Sequence, residues 1–214
     1  MGVSDGSFKL GFGTSAFSCG STHHKMMGVN LVPGDKRYHT PYRAEMSGAA
    51  GILTSLKIFC KRHHITNGCV TIGLDGQSVL DRITGSEQDS CKIPDFDLVK
   101  CIRTLSKELP IQIKWKWVEG HQDDHKSWNE LDEWARLNVR MDSLAKAYWQ
   151  FCAELAIQPY SGRIYGEHVS VRWNKRKLPY YNLYHLHDEY HGDVTGDFWI
   201  DAGQLKQSTV HSVN

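Results

Sequence analysis

The sequence predicts an α/β fold in which helices flank a mixed five-stranded sheet of three antiparallel strands and then two parallel additions. Three extended segments come first and are joined by short turns. Beyond residue 42 the apolar residues repeat at helical spacing, and these helical segments alternate with two further short strands. A chain of 214 residues has room for this one domain and a small C-terminal extension.

The first strand is expected within residues 7–17, where large apolar residues alternate at the period of a half-buried strand. Asp5 stands just before this run and opens the strand. The chain then returns over residues 14–18 as a second strand, and residues 26–32 form a third. The short turns between them predict an antiparallel meander.

The first helix is expected over residues 42–62, with Pro41 just ahead of it, where a helix start tolerates proline. Glu45 falls in its first turn, a common place for a carboxylate because it favours the helix dipole. The residues of its apolar face recur at steps of three and four: Met46, Ala49, Ala50, Leu53, Leu56 and Cys60.

A short apolar run over residues 70–74 predicts a strand buried on both faces, as in the parallel part of a sheet. Asp75 follows at its carboxyl end, where open α/β sheets place ligands. A short helix is expected over residues 78–83. Asp95 is a candidate N-cap for an amphipathic helix over residues 98–109.

Residues 111–118 alternate between apolar and polar side chains and predict the fifth strand. On this pattern Trp115 and Trp117 are expected in the core. A polar loop follows, and from about residue 129 a last helix is expected, with Asp142 on its inward stripe.

Four carboxylates are predicted to meet at one edge of the sheet. Parallel crossovers place the first, fourth and fifth strands side by side, so that Asp5 and Asp75 are neighbours, while two helices bring Glu45 and Asp142 over the same spot. Four such charges repel one another unless a cation lies between them. Oxygen-only ligation selects magnesium or manganese over zinc.

These residues resemble the ribonuclease H family, specifically the RNase H domains of retroelement reverse transcriptases. The resemblance covers roughly the first 150 residues, in which the order of the motifs and their strand or helix context also agree. It implies an RNase H-like fold. The matching motifs are Asp5-Gly6-Ser7, Tyr42-Arg43-Ala44-Glu45, Leu74-Asp75-Gly76, Trp117-Val118-Glu119-Gly120-His121 and Asn138-Val139-Arg140-Met141-Asp142-Ser143-Leu144-Ala145.

The resemblance implies a metal-dependent endonuclease that hydrolyses the RNA strand of RNA–DNA hybrids. By position, Asp5, Glu45, Asp75 and Asp142 match the family's catalytic, metal-binding acids, which hold two Mg²⁺ ions, with Mn²⁺ as a substitute. His121 matches a catalytic histidine that the family associates with proton handling and product release.

Substrate contacts are expected at three further positions. The backbone near Gly6 and Ser7 would recognise 2′-hydroxyl groups in the minor groove. Tyr42 stands where many relatives carry substrate-contacting asparagines, so that it either stacks on the substrate or packs within the protein. The expected partners are an RNA–DNA hybrid and a reverse transcriptase polymerase domain in a longer polyprotein.

Two alternatives stay open at this point. Asp132 rivals Asp142 as the fourth acid, and Asp142 is preferred because Asn138 precedes it by four residues, as in the family motif. The second alternative is a catalytically silent module of the same fold that binds nucleic acid or scaffolds a retroelement polyprotein, since a fold alone does not determine function. A related nuclease or integrase lacks motif support.

The expected domains are a catalytic unit over residues 1–150 and an extension over residues 151–214. In the extension, residues 164–178 are expected as a hairpin, 180–190 as a short helix and 194–214 as a fraying tail.

Composition narrows the class of protein. A net charge of +1 argues only against a uniformly basic protein. Six cysteines without C-x-x-C spacing predict reduced thiols and an intracellular location, in the cytoplasm or nucleus. No apolar run has the length to span a bilayer, so no membrane association is expected. The histidine pairs and the 185–191 histidine group fit no closed zinc site.

Overall fold

A computed structural model describes residues 1–21, 25–85, 95–159 and 164–165, together with the backbone of three later strands. Five strands form the main sheet, in the spatial order third, second, first, fourth, fifth. They are β1 (Gly2–Lys9), β2 (Phe12–Gly20), β3 (Lys25–Leu31), β4 (Cys69–Leu74) and β5 (Gln112–Trp117).

The first three strands are antiparallel, and β4 and β5 are added in parallel with β1. This confirms the predicted fold class, because helices flank a sheet of that arrangement. The helices are α1 (Pro41–Arg62), α2 (Gln77–Thr84), α3 (Phe96–Glu108) and α4 (Glu133–Glu154).

The helices form two layers, one on each face of the sheet. The larger core lies between the sheet and α1 to α3, and its centre includes Ile72 with Leu53 and Ile102. On the other face, Val3 and Ala16 pack against the inner side of α4. The acids that the sequence analysis singled out therefore come from both helical layers and from the sheet between them.

The first strand begins earlier than the sequence indicated. Asp5 lies in the middle of β1, opposite Ala16 of β2, rather than ahead of the strand. The pairing also includes Gly2, which lies opposite Cys19. Residues without an alternating pattern extend β1 because β2 and β4 supply hydrogen-bond partners on both sides.

The start of α4 also differs from the prediction. The helix begins at Glu133, not near residue 129, and Asp132 is its N-cap: the Asp132 side chain accepts a hydrogen bond from the N–H of Ala135 at 2.8 Å. By contrast, α1 begins at Pro41 after the N-cap Thr40 and ends at Arg62, close to its predicted limits.

The expectation that Trp117 belongs to the core is wrong, since 50% of this residue is exposed. Trp115 of the same strand packs against the core and is partly buried. Both side chains share a parity, but β5 is an edge strand and Trp117 is its last residue. Alternation predicts which side a residue faces and does not tell whether another layer covers it.

Asp95 occupies the predicted N-cap position of α3, but its side chain makes no capping hydrogen bond. It pairs instead with the buried guanidinium of Arg43 at 2.8 Å, and Asp97 pairs with the same group at 2.7 Å. Arg43 also donates to the carbonyl oxygen of Pro33. The charge of Arg43, which is 1% exposed, is thus compensated by two carboxylates and a carbonyl.

The C-terminal extension contains a second, three-stranded antiparallel sheet of β6 (Val169–Trp173), β7 (Arg176–Leu178) and β8 (Phe198–Ala202). β6 pairs with β7 within residues 164–178, where the sequence analysis expects a hairpin. The expectation of a fraying tail from residue 194 is wrong over β8, which pairs with β6. The helix expected over residues 180–190 lies outside the described residues.

No helix within the described ranges combines the length and the apolar character that a membrane crossing requires. The five cysteines in those ranges are all free thiols.

Candidate active site

Asp5 places a carboxylate inside the protein, at 6% exposure. Its Oδ1 accepts a hydrogen bond from the N–H of Gly6 at 2.6 Å, and the amide of Asn138 lies 3.4 Å from Oδ2. Burial, followed by the charges of Asp75 and Asp142, raises the pKa of Asp5 to about 9, while the hydrogen bond from Gly6 opposes the rise. The acids from β1, β4 and α4 therefore act on one another electrostatically.

Glu45 approaches this group from α1, just beyond the first turn in which the sequence analysis placed it, because the helix begins at Pro41. Its Oε2 is buried and has no hydrogen-bond partner in the described part of the chain. A Cβ atom on Gly76 would overlap that oxygen, so the carboxylate lies directly against the Gly76 backbone. Burial, followed by the charge of Asp75, raises the pKa of Glu45 to about 7.

Asp75 follows β4 directly and lies between two glycine-containing segments. A Cβ on Gly120 would come 2.9 Å from its Oδ2. Its Oδ1 is buried, again without a partner among the residues described. Burial raises the pKa of Asp75, while a hydrogen bond from its own backbone N–H, the side chain of Asn138 and the charge of His121 oppose the rise.

Asp142 completes the group from α4, where it is half-buried. Its Oδ2 accepts a hydrogen bond from Nζ of Lys146, one helical turn later, at 2.6 Å. Its charge helps to raise the pKa of both Asp5 and Asp75, which shows that the carboxylate of Asp142 faces the same group. The charges of Glu45, Asp75 and Asp142 all help to raise the pKa of Asp5, so the structure brings the other three predicted acids within electrostatic reach of Asp5.

The close approach of β1 and α1 holds two of these acids together. A Cβ on Gly6 would lie 2.5 Å from the backbone N of Glu45 and 2.8 Å from the Cβ of Ala44. Only glycine allows the strand and the helix to lie this close at that point. Gly6 thus sets the separation between Asp5 and Glu45, and Ser7 follows it half-buried on β1.

His121 is exposed at the start of a loop after β5, in a left-handed backbone conformation with φ of 52°. Its carbonyl oxygen accepts a hydrogen bond from the N–H of Asp124, and the Gln122 side chain donates to the carbonyl of Glu119. His121 is near enough to Asp75 to lower the pKa of that carboxyl. It is thus the one predicted residue at the rim of the group that solvent reaches freely.

Two other predicted positions differ in their surroundings. Tyr42 is half-buried: it packs against the large core, its hydroxyl donates to the carbonyl of Ser78 at 3.5 Å, and Arg82 lies 5.5 Å from its ring centre. This packing accounts for Tyr42 without a ligand. Asp132 is exposed and serves as the N-cap of α4, a role that needs no metal.

The donors fit a hard divalent cation in their chemistry. All four are carboxylates, and two buried carboxylate oxygens, on Glu45 and Asp75, have no hydrogen-bond partner among the residues that the structure describes. In the arrangement shown, no three His, Cys, Asp or Glu side chains of the described residues are close enough together to hold an ion. An ion held by three or more of these acids would therefore require them to lie closer together than the structure shows.

Sequence reasoning assigned no role in the site to four residues that contact its acids. Gly76 and Gly120 pack against the acids, and Lys146 pairs with Asp142. Each had a local signal, because Gly76 adjoins a candidate acid and Lys146 stands at the i+4 position of another. The indole N–H of Trp117 donates to the carbonyl of Asp75 at 2.9 Å, and no local signal indicated that bond.

Comparison with known proteins gave structural matches only. No protein-family model matches the chain, and no curated protein matches it. LC11-RNase H1 in complex with an RNA/DNA hybrid superposes with a TM-score of 0.51 and 11% identity, over 68% of this chain and 93% of that one. A structure of LC11-RNase H1 isolated from compost gives a TM-score of 0.50 and 11% identity, over 71% of this chain and 96% of that one.

RNase H1 from the halophilic archaeon Halobacterium salinarum gives a TM-score of 0.46 and 15% identity, over 70% of this chain and 96% of that one. At such identities the likeness concerns the fold. The strand order β3-β2-β1-β4-β5, with helices on both faces, agrees with the LC11 matches. The chain described here has the RNase H-like fold.

Proposed function

We propose that this protein is a metal-dependent endonuclease that hydrolyses the RNA strand of RNA–DNA hybrids. The observation that carries the proposal is the meeting of Asp5, Glu45, Asp75 and Asp142. The charges of the other three acids help to raise the pKa of Asp5, and two buried carboxylate oxygens, on Glu45 and Asp75, have no hydrogen-bond partner among the described residues. The fold and the motif order support the same function. LC11-RNase H1, which shares the fold, was solved with an RNA/DNA hybrid.

The four acids would hold two Mg²⁺ ions, or Mn²⁺ in their place. When bound, such ions activate a water molecule and stabilise the departing oxygen of the cleaved phosphodiester. Before binding, the raised pKa values keep protons on Asp5 and, near neutral pH, on part of Glu45. These carboxyl groups would lose their protons as the ions bind.

His121 would exchange protons between the site and solvent, since it is exposed and lies within electrostatic reach of Asp75. The backbone at Gly6 and Ser7 would meet the 2′-hydroxyl groups of the RNA strand, which distinguish RNA from DNA. Tyr42 would border the substrate through its exposed edge. We also propose a retroelement origin with an adjoining reverse transcriptase polymerase domain, from the motif resemblance, and an intracellular location, from the cysteine pattern.

The test is cleavage of an end-labelled RNA–DNA hybrid by the full chain with Mg²⁺ or Mn²⁺, with EDTA and duplex DNA as controls. Metal-dependent cutting of the RNA strand alone is expected, and the Asp5→Asn variant should lack it. A folded chain that binds the hybrid without cleaving it would instead support the binding or scaffolding module.

A further inference from the structure

We infer that the indole of Trp117 positions Asp75, and through it Glu45, for metal binding; this inference rests on the function proposed above. In this inference Trp117 acts on the carboxylates that would hold the ions, and not on the ions themselves. Its effect would pass through one peptide group, the one that joins Asp75 to Gly76.

The hydrogen bonds between β4 and β5 show how Trp117 reaches that peptide group. Leu74 lies opposite Trp117 in the last pair of the two strands, and the N–H of Val118 donates to the carbonyl of Leu74 at 2.9 Å. The carbonyl of Asp75 lies one residue beyond the paired strand. Nε1 of Trp117 donates to it at 2.9 Å. A side-chain donor thus continues the ladder for one further residue.

The peptide group held in this way connects two of the four acids. On one side it carries the Asp75 side chain, whose Oδ1 is buried without a partner in the described part of the chain. On the other side it leads to Gly76, whose backbone lies directly against Oε2 of Glu45. Because a peptide group is planar, its carbonyl direction restricts the backbone on both sides. The Trp117 hydrogen bond therefore restrains the position of both carboxylates.

The exposure of Trp117 makes this role separable from folding. Half of the residue is exposed at the edge of the sheet, so its ring contributes less to the core than a buried tryptophan does. The N–H group is a directed contact from this side chain into the protein. Replacement by phenylalanine keeps an aromatic ring at this position and removes the donor.

The experiment compares metal binding by the full wild-type chain and by Trp117→Phe, using isothermal titration calorimetry with MgCl₂ and with MnCl₂ in the absence of nucleic acid. The variant should bind each metal about 10- to 100-fold more weakly, the range for losing a group that orients a metal ligand. Its melting temperature without metal should stay near that of the wild type.

Trp149→Phe is the matched control. The indole N–H of Trp149 also donates to backbone carbonyls, those of Lys9 and Phe12 at 3.0 and 3.2 Å, but these lie at the β1–β2 turn. Because Trp149 is buried, this variant should lower the melting temperature and leave the metal dissociation constants unchanged.

The outcomes separate the two proposals. If the wild-type chain binds neither metal, the proposed function fails and the inference fails with it. If wild type and Trp117→Phe bind the metals equally, the inference alone is overturned. Should Trp117→Phe not fold, the indole N–H resonance of Trp117 in the wild type decides: slow solvent exchange despite the exposed ring is expected, and exchange as fast as that of free indole overturns the inference.

Discussion

Gly76 lies directly against Glu45, so closely that a methyl group on Gly76 would overlap Oε2 of that carboxylate. The backbone of Gly76 has φ of −77°, which any residue adopts, so the requirement for glycine is one of space. A residue of the loop after β4 thus sets the position of an acid on α1.

The Gly76→Ala variant should therefore fold and lose activity. Displacement of the Glu45 carboxylate by about 1 Å is expected to lower the rate of hybrid cleavage about 10²-fold. Gly2→Ala is the control. Its added Cβ would meet Sγ of Cys19 at 3.3 Å, and Gly2 lies at the start of β1, four residues before the Gly6 that contacts Glu45. The comparison uses single-turnover cleavage rates and far-UV circular dichroism. Equal rates for both variants would show that the Glu45 position does not matter.

Asp142→Asn should lower the cleavage rate at least about 10²-fold while binding of the hybrid persists, because loss of a metal ligand removes transition-state stabilisation. Asp132→Asn should leave the rate near that of the wild type, since asparagine also caps a helix well. Rates at saturating substrate and hybrid affinities measured by fluorescence anisotropy check both. If the two effects were exchanged, Asp132 would be the fourth acid.

Asp5→Asn should stabilise the protein in the absence of metal. The pKa of Asp5 lies at about 9 in the folded chain, above its ordinary value, so its contribution to stability falls as the pH rises toward 9. Asparagine does not ionise and removes this loss. At pH 8 to 9 in EDTA the melting temperature of the variant should exceed that of the wild type by about 2–4 °C for each kcal/mol gained.

With Mg²⁺ the wild type should have the higher melting temperature of the two, because a ligand that binds the folded state stabilises it. The wild type should gain melting temperature with MgCl₂ and Asp5→Asn should gain much less. A variant that is less stable than the wild type in EDTA would contradict the burial of a repelled charge at Asp5.

His121→Ala should slow cleavage about 10- to 10⁴-fold and leave measurable activity, because one acid–base group contributes over that range. His125→Ala, a change of another exposed histidine in the same loop, is the control and should have little effect. Cleavage rates across pH 6 to 9 provide the measurement. Inactivity as complete as that of Asp5→Asn would mean that His121 is a metal ligand or a structural residue.

The buried His39 should lower the free energy of unfolding in acid. Its Nδ1 accepts from the N–H of Gly13 and its Nε2 donates to the carbonyl of Gly34, while burial and then the charge of Arg43 lower its pKa to about 4. Since the unfolded chain takes up this proton first, stability is lost as the pH falls from about 6.5 toward 4. The full effect is on the order of 3 kcal/mol.

The His39→Gln variant isolates that effect, since an amide can both accept and donate but does not titrate in this range. Urea unfolding of wild type and variant between pH 4 and 7 should give a free-energy difference that shifts in favour of the variant as the pH falls. A difference independent of pH would mean that His39 is protonated equally in both states.

The limits of helices and strands were most predictable where apolar residues recur at a regular period. The apolar face of α1 and the alternation of β5 gave limits close to those observed, because each element lies against one continuous layer. The helix layers and the parallel position of β4 beside β1 followed from the order of elements. The convergence of the four acids was a consequence of that topology.

The structure differs from the sequence prediction where residues distant in the chain determine the surroundings of a side chain. Asp95 has the local signature of an N-cap, yet its carboxylate binds Arg43, which is 52 residues away in the chain. Trp117 has the parity of a core residue and is exposed, because no layer of the described residues covers that end of the edge strand. Local pattern carries no information about such coverage.

The amino-acid sequence by itself determined the α/β order of elements, the mixed sheet and the edge at which Asp5, Glu45, Asp75 and Asp142 meet, because hydrophobic period and crossover handedness are properties of the chain. Only the tertiary structure decided how tightly these acids are held: the closeness of Gly6 to α1, of Gly76 to Glu45, and the bond from Trp117 to Asp75. Those contacts join segments distant in sequence, and their energies depend on separations of tenths of an ångström, which packing alone sets.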